Sequence, residues 1–233
     1  CLFLWDWNTM TDEIYRNLKN YVESGGCLFL GLPQLSTHLQ REFLRNMDDL
    51  ALFQEGDFTD FLGFKVIGKG SSVRDIRFLS DSLGMGIPFP EKKEYRIENT
   101  FDNEPDICSS KLRLVDAVVL AEGNDGTPAL LARRFGKGQV ITLGLWNYPG
   151  AGALLGFMTD VIRAMAEAYR GDIVLESGKD INYAVYPEGE NKKIYLLNTD
   201  WTEEGKSVGS RLIVDGNRLE VEVGHDRITV VDI

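Results

Sequence analysis

The first 31 residues carry the pattern that most constrains the fold: a strand, a helix and a second strand in close succession. The apolar run CLFLWDW opens the chain, and CLFLGL follows a Gly-Gly pair. Between them, Thr11 can cap a helix and Gly25 can end it. Ile14, Leu18 and Val22 recur at the spacing of one helical face. Two strands joined by a helix within about 30 residues form a βαβ unit, so we predict a parallel sheet.

The middle of the chain adds further elements. THLQREFLRNMDDLALF is predicted to be helical in part, and DFTDFLGFKV to form a helical turn that leads into a strand. LRLVDAVVLAEG and PALLARRFGKGQVITLGL are typical of strands, and Gly-Lys-Gly at 136–138 predicts a tight hairpin. GALLGFMTDVIRAMAEAYRG is a strong helix pattern that ends at Gly171. Residues 67–112 are rich in Gly, Ser, Pro and charge, and we expect short strands and long loops there.

The pattern changes at about residue 172. From there the chain holds only short alternating runs, separated by turn signals such as Asp-Gly-Asn at 215–217. We expect about six strands, which would make a small all-β, sandwich-like module. The sequence therefore predicts two domains, an α/β domain over residues 1–171 and a β domain over residues 172–233.

The composition limits the kinds of partner that this chain can have. A net charge of −11 argues against nucleic acid, because phosphate binding needs a basic surface, and against an anionic membrane surface. No apolar run approaches the roughly 18–20 residues of a membrane-spanning helix. Three cysteines and two histidines show no metal-binding or redox spacing. We therefore predict no nucleic acid, membrane, metal or cofactor.

The end of the second strand is where many α/β hydrolases place a nucleophile. Here the turn is Gly31-Leu32-Pro33-Gln34, and neither Leu nor Pro has a nucleophilic atom. Cys27 lies at the start of the strand rather than at its tip. We therefore predict no catalytic residue at this turn.

Tryptophan side chains are the candidates for sugar binding, because a flat aromatic ring can stack on a sugar. Trp201 follows Asn198 at the end of a strand-like run, and Trp7 ends the first apolar run. We take Trp201, Trp7 and Asn198 as candidate binding residues. The alternatives are a packed turn around Trp201 and a core or interface position for Trp7.

Several segments resemble one enzyme family in their order and spacing. LFLWDWNTMTDEIYRNLKNYVESGGCLFLGL resembles the segment of family 42 β-galactosidases that follows the catalytic barrel. DFTDFLGFKV, GTPALLARRFGKGQVITLGLW and KKIYLLNTDW resemble three later segments of that family, the last in its small C-terminal β domain. Most of the chain is covered, although residues 67–112 match poorly.

The resemblance implies a fold and a role. In that family the corresponding domain is a flavodoxin-like, class I glutamine amidotransferase-like parallel sheet with flanking helices, and it serves trimerization. That domain lacks the amidotransferase cysteine. This chain agrees with it, because Leu32 and Pro33 have no nucleophilic atom. The catalytic glutamates of the family lie in the barrel, so the resemblance assigns no catalytic residue to this chain.

Three functional hypotheses follow. The first is a non-catalytic accessory and oligomerization region of a larger β-galactosidase-like enzyme, whose partners are its own upstream barrel and neighbouring subunits of a homo-oligomer, such as a trimer. The second is a carbohydrate-binding module that uses Trp201. The third is a divergent amidotransferase-like hydrolase that acts through Cys27 or Cys108. Because the chain starts at Cys1 inside a strand-like run, we expect a fragment of a longer protein.

Overall fold

The computed structural model describes the chain apart from residues 6–8, 38–50, 80–83, 100–105, 170, 190, 201–204 and 226. The chain divides into two compact units, Cys1–Ala168 and Tyr169–Ile233. Each unit has its own hydrophobic core.

Strands are the main elements of both units. The described residues form two α-helices, α1 (Asp12–Glu23) and α2 (Leu155–Ala168), and three short 3-10 turns, Leu32–Leu35, Phe53–Gly56 and Gly152–Leu154. The strands are β1 (Leu2–Phe3), β2 (Cys27–Gly31), β3 (Asp57–Phe58), β4 (Phe64–Ser72), β5 (Asp75–Phe78), β6 (Glu94–Arg96), β7 (Cys108–Leu114), β8 (Val118–Gly123), β9 (Pro128–Phe135), β10 (Gly138–Leu143), β11 (Ile173–Ser177), β12 (Ile181–Glu188), β13 (Asn191–Asn198), β14 (Val208–Val214), β15 (Asn217–Val223) and β16 (Ile228–Asp232).

A mixed seven-stranded sheet organises the first unit, in the order β1-β2-β10-β9-β8-β5-β6. β1, β2 and β10 are parallel, whereas the remaining neighbours in the sheet pair antiparallel. α1 connects the parallel strands β1 and β2, which confirms the predicted βαβ unit. A separate small sheet, β3-β4-β7, completes the unit.

The prediction of a flavodoxin-like, class I glutamine amidotransferase-like α/β fold is wrong. A parallel sheet needs a long crossover, usually a helix, for each added strand, and the described residues contain only two α-helices. Beyond β10 the sheet grows by antiparallel pairing instead. One of these pairs is the hairpin at residues 136–138, which the sequence did predict. The first unit is therefore a β-rich fold in which the parallel pattern extends over three strands.

α1 forms where its cap residues predict it. The Thr11 side chain accepts a hydrogen bond of 3.2 Å from the backbone N–H of Ile14, which satisfies one of the free donors of the first turn. Gly25 follows the helix with a φ of 115°, a conformation that glycine adopts without strain. Leu18 and Val22 are buried against the sheet. The amphipathic pattern thus directs this helix to one face of the sheet.

The two faces of the seven-stranded sheet carry separate hydrophobic clusters. Successive side chains of a strand point to opposite faces, and β2 follows this rule. Cys27 and Phe29 belong to the cluster that includes α2, whereas Leu28 and Leu30 belong to the cluster that includes α1. One helix therefore packs on each face.

The described residues of the second unit form six strands, in agreement with the about six strands that the sequence predicts for this region. They form two three-stranded antiparallel sheets, β11-β14-β15 and β12-β13-β16. One cluster forms its core, made of Ile173, Ile181, Ile194, Leu196, Leu212 and Val223.

The predicted helices have different outcomes. α2 is confirmed and buries five apolar side chains: Phe157, Met158, Val161, Ala164 and Met165. Most of the segment 37–53, predicted to be helical in part, lies outside the described residues. Neither described helix combines the length and the apolar character that a membrane crossing requires.

Candidate functional site

The candidate site is the edge of the sheet at which the parallel strands β1, β2 and β10 end. In open sheets with parallel strands, ligands and catalytic residues gather at this carboxyl edge. Here it is formed by Trp5 after β1, by the turn Leu32–Leu35 after β2, and by residues 144–150 after β10. This is the edge that the sequence singled out.

The side-chain amide of Gln34 closes the turn after β2. Its Oε1 accepts a hydrogen bond of 2.9 Å from the backbone N–H of Gly31, and its Nε2 donates one of 2.8 Å to the backbone carbonyl of Trp5. Gln34 is completely buried. A Cβ on Gly31 would lie 2.8 Å from this Oε1 and 3.4 Å from Pro149, so a side chain at this position would displace the Gln34 amide.

After β10, the side-chain amide of Asn147 also binds backbone groups. Asn147 is buried, and its Oδ1 accepts a hydrogen bond of 2.8 Å from the backbone N–H of Cys108. Its Nδ2 donates one of 3.1 Å to the backbone carbonyl of Asp106. Both amides therefore bind backbone groups, and neither is available to a substrate.

Among the other described side chains at this edge, Leu32, Leu35 and Trp146 are apolar, and Tyr148 carries a phenol hydroxyl. Leu32 and Leu35 of the turn are fully buried, and Trp146 after β10 is 5% exposed. These groups pack in the same cluster as α1. Leu32, Leu35 and Trp146 can support the sheet edge, and none of these three side chains is an acid, a base or a nucleophile.

Neither internal cysteine has the position of a nucleophile. Cys27 is buried at the amino end of β2, the opposite end from the turn. Cys108 is partly buried at the start of β7, and its thiol lies 3.5 Å from the backbone carbonyl of Asp106. A reactive thiol needs an exposed and electropositive environment. Cys27 is buried and does not have such an environment.

The three sequence-predicted binding residues are not brought together by the described structure. Asn198 ends β13 and is 2% exposed. Its Nδ2 donates to the backbone carbonyl of Lys206 at 3.0 Å, and its Oδ1 accepts from the backbone N–H of Asp200 at 2.9 Å. Asn198 therefore shapes a turn. Trp7 and Trp201 lie outside the described residues.

Polar and charged side chains of the first unit join its two helices to neighbouring residues. Asp160 of α2 accepts hydrogen bonds from the Lys93 ammonium and the Tyr95 hydroxyl, and the bond from Lys93 is the main cause that lowers the pKa of this carboxyl. On α1, the Tyr15 hydroxyl donates to Asp60 at 2.9 Å, and burial raises the pKa of Tyr15. These two perturbed pKa values belong to pairs that join α2 and α1 to neighbouring residues.

Two cavities lie elsewhere in the first unit. A polar one of about 230 Å³ is lined by Ser72, Val73, Arg74, Ile97, Glu98, Asn99, Asp106 and Ile107. Another, of about 210 Å³, is lined by Leu79, Ile87, Pro88, Phe89, Glu91 and Leu120. Neither includes a residue of the turn after β2. In the part of the chain that the structure describes, no group of three or more His, Cys, Asp or Glu side chains is placed to hold a metal ion.

The comparisons with known proteins find similarity to solved β-galactosidase structures. No protein-family model and no curated protein matches the chain. Among solved structures, Gan42B, a GH42 β-galactosidase from G. stearothermophilus, matches 100% of this chain with a TM-score of 0.58 and 16% identity. The β-galactosidase from Rahnella sp. R3 matches 100% with a TM-score of 0.59 and 15% identity. That from Bacillus circulans sp. alkalophilus matches 99% with a TM-score of 0.58 and 13% identity.

The chain has the fold of one region of these β-galactosidases. It spans 31% of the Gan42B chain and 32% of each of the other two. At such low identity the match concerns the fold, and a shared fold by itself does not carry an activity.

Sequence reasoning found the edge but missed the two amides that close it. The signal for Gln34 was present, since it is a lone polar residue in the apolar turn Leu32–Leu35. A buried polar residue must find hydrogen-bond partners, and in a turn these are backbone groups. Asn147 gave no comparable signal, because its partner strand β7 is distant in sequence.

Proposed function

We propose that this chain is a non-catalytic accessory and oligomerization region of a larger carbohydrate-active enzyme similar to the GH42 β-galactosidases. The observation that carries the proposal is the turn at the carboxyl edge of the parallel strands, where Leu32 and Pro33 have no nucleophilic atom and the buried Gln34 amide binds backbone groups. The structural match adds support, because the whole chain corresponds to about a third of enzymes of this class.

In this role the chain would contact its own catalytic barrel and neighbouring subunits of a homo-oligomer, of which a trimer is one form. Exposed apolar side chains support such contacts, since they often mark surfaces that another protein covers. The most exposed are Ile67, Val115, Leu155, Tyr186 and Ile228.

The mass of the natural polypeptide tests the proposal. An antibody raised against this chain should detect a protein far larger than 26.2 kDa, because a catalytic barrel adds about 250 residues. The purified natural protein should hydrolyse a nitrophenyl β-galactoside, and the 233-residue chain should not. A natural protein of 26.2 kDa, or hydrolysis by this chain alone, would contradict the proposal.

Carbohydrate binding by the second unit is the second candidate, favoured by a tyrosine pair on β12 and β13. Tyr186 is 60% exposed, and its ring stands perpendicular to that of Tyr195 with centroids 5.4 Å apart. A ring held in this way can stack on a sugar with little loss of side-chain entropy.

Calorimetric titration with β-galactosides tests this second candidate. Binding should weaken at least about tenfold in Tyr186→Ala, which corresponds to about 1.4 kcal/mol. It should be unchanged in Tyr183→Phe, whose ring lies on the other side of β12 by the alternation of strand residues. Trp201→Ala tests the residue nominated by the sequence. No heat of binding to the wild-type chain would exclude the candidate.

A further inference from the structure

Two Asp-Gly pairs occur in the sequence, Asp125-Gly126 and Asp215-Gly216, and no Asn-Gly pair occurs. An aspartate followed by glycine can isomerise without an enzyme, because glycine has no Cβ to shield its backbone nitrogen from the preceding carboxyl group. All four residues are exposed, and a Cβ on either glycine would meet no residue beyond its chain neighbours within 4 Å. Sequence and exposure therefore do not separate the two pairs, but their hydrogen bonds do.

The isomerisation runs through a cyclic imide. The glycine nitrogen attacks Cγ of the protonated aspartyl side chain, a nitrogen–carbon bond forms, and the carboxyl hydroxyl leaves as water with the amide hydrogen. Water then adds to one of the two ring carbonyls. Opening at Cγ restores aspartate, whereas opening at the main-chain carbonyl gives isoaspartate, whose backbone runs through Cβ and Cγ. The reaction needs no oxidant, reductant or second substrate, but it does need a protonated carboxyl and a free backbone nitrogen.

Both reacting groups are held by hydrogen bonds at Asp125. Its Oδ1 accepts from the backbone N–H of Thr127 at 3.1 Å and from the Thr127 hydroxyl, and its Oδ2 accepts from the Ser71 hydroxyl at 2.7 Å. The bond from the Thr127 hydroxyl is the main cause that lowers the pKa of this carboxyl. The Gly126 N–H donates to the backbone carbonyl of Gly123 at 2.9 Å. The carboxyl is therefore kept ionised, and the nitrogen that would attack it is bound to another group.

Asp215 and Gly216 form the two-residue turn between β14 and β15. Val214 pairs with Asn217, and φ is 47° at Asp215 and 79° at Gly216, which is the left-handed pattern of a tight hairpin. The backbone N–H of Asp215 donates to the backbone carbonyl of Asp172 at 3.1 Å. Among the described residues, the Asp215 carboxylate has no hydrogen-bond or ion-pair partner, and the Gly216 N–H has no acceptor. Both groups that the reaction needs are therefore free at this turn.

We propose that Asp215 is a site of spontaneous isoaspartate formation, and that its hydrogen bonds protect Asp125 from the same reaction. The product adds one methylene to the backbone of the turn, directly beside the pair of Val214 with Asn217. Because the turn is exposed, the isoaspartyl carboxyl is accessible to an L-isoaspartyl O-methyltransferase, which uses S-adenosylmethionine as methyl donor. The modification site lies in the second unit and does not rest on the proposed function.

Peptide mapping of the aged 233-residue chain tests the proposal. The protein is kept for several weeks at body temperature and mildly acidic pH, and circular dichroism shows that it stays folded. Isoaspartate at each pair is measured by electron-transfer fragmentation and by methyl transfer from labelled S-adenosylmethionine. It should form at least about tenfold faster at Asp215 than at Asp125, because hydrogen bonds to a carboxylate disfavour its protonated form. Two synthetic peptides, residues 120–130 and 210–220, are the unfolded reference, and their rates should be similar.

Two sets of variants separate the hydrogen bonds from the sequence. The double variant Ser71→Ala, Thr127→Val removes both hydroxyl donors, so isoaspartate at Asp125 should form severalfold faster while the rate at Asp215 stays the same. Asp215→Asn forms the same imide with loss of ammonia, and Asn-Gly also favours this turn. This variant should gain the mass difference between an amide and an acid at neutral pH. Asp125→Asn is the matched control and should convert much more slowly.

Three results would overturn the inference. Equal rates at the two pairs in the folded chain would show that the fold does not select between them. Isoaspartate at Asp215 below detection, while the reference peptide isomerises, would show that the hairpin turn resists ring closure. An unchanged rate at Asp125 in the double variant would show that the two hydroxyl donors do not protect it. None of these results depends on the length of the natural protein, so each is distinguishable from failure of the proposed function.

Discussion

The side-chain amide of Gln34 donates a hydrogen bond of 2.8 Å to the backbone carbonyl of Trp5 and so ties the turn after β2 to the end of β1. The same amide accepts a hydrogen bond of 2.9 Å from Gly31 within the turn. One buried polar side chain therefore closes this edge of the sheet. Because the amide is completely buried, its two bonds have no water to replace them.

Replacement of Gln34 by methionine should destabilise the first unit by about 2–4 kcal/mol. Methionine has a similar volume, but it leaves the Gly31 N–H and the Trp5 carbonyl buried without their partner, and each such loss costs about 1–3 kcal/mol. Urea unfolding followed by tryptophan fluorescence measures the change. A loss below about 1 kcal/mol would show that the edge does not depend on this amide.

Gln34→Glu separates the hydrogen bonds from the shape of the side chain. A neutral glutamic acid can still donate to the Trp5 carbonyl, whereas the carboxylate cannot and is buried without a cation. Burial should raise the pKa of this carboxyl above the ordinary value of about 4.3. The variant should therefore be closest to wild type below pH 4 and lose stability as the pH rises through that raised pKa. A pH-independent difference from wild type would contradict this account.

The sequence predicted the local elements that depend on their own residues. The Thr11 cap, the face of α1 and the hairpin at 136–138 are set by groups within a few positions of one another, and all three are confirmed. The predicted fold class was wrong because the parallel pairing of one βαβ unit was assumed for the whole sheet. The antiparallel pairing of β5 with β8 joins Phe78 to Ala121, and nothing in the sequence between these residues marks such a distant contact.

The position of the turn after β2 was predictable from the sequence, but the hydrogen bonds that close it were not. Gly31-Leu32-Pro33-Gln34 already shows that no cysteine or serine occupies the turn. The bond between Gln34 and Trp5 joins residues 29 positions apart and depends on the parallel pairing of β1 with β2. The role of Gln34 depends on this tertiary contact, which the local sequence pattern could not predict.

Asp160→Asn should reduce the loss of stability in acid. The hydrogen bonds from Lys93 and Tyr95 favour the carboxylate and lower its folded pKa below the ordinary 3.8. A lowered folded pKa stabilises the protein above pH 3.8, and this contribution is lost as the pH falls through the folded pKa. The variant should be less stable by about 1–3 kcal/mol at pH 7 and show a flatter slope below pH 4.

Thermal unfolding of Asp160→Asn from pH 2.5 to 7 measures this effect. Asp75→Asn, at an exposed aspartate of β5, is the control for removal of one negative charge. An acid slope of Asp160→Asn equal to that of wild type would show that the pairs with Lys93 and Tyr95 contribute no stability.

Tyr15→Phe should make the protein less sensitive to alkali. Burial, followed by the neighbouring Asp60, raises the folded pKa of Tyr15 above the ordinary 10.0. Above pH 10.0 the unfolded chain therefore ionises Tyr15 while the folded chain keeps it protonated, and stability falls as the pH rises. Removal of the hydroxyl should reduce this slope by up to about 1.4 kcal/mol per pH unit. An unchanged slope between pH 10 and 12 would count against the prediction.

Gly138→Ala should destabilise the first unit by about 3 kcal/mol or more. A Cβ at this position would lie 2.2 Å from the backbone carbonyl oxygens of Gly26 and Val22, so the hairpin of β9 and β10 would have to move away from the end of α1. Gly156→Ala is the matched control, because it lies in α2 and its added Cβ would meet Tyr95 at an ordinary 3.8 Å. That control should be stabilised by about 0.5–1 kcal/mol, since alanine favours a helix more than glycine does. Urea midpoints measure both variants, and equal effects of the two would show that β10 does not depend on this close approach to α1.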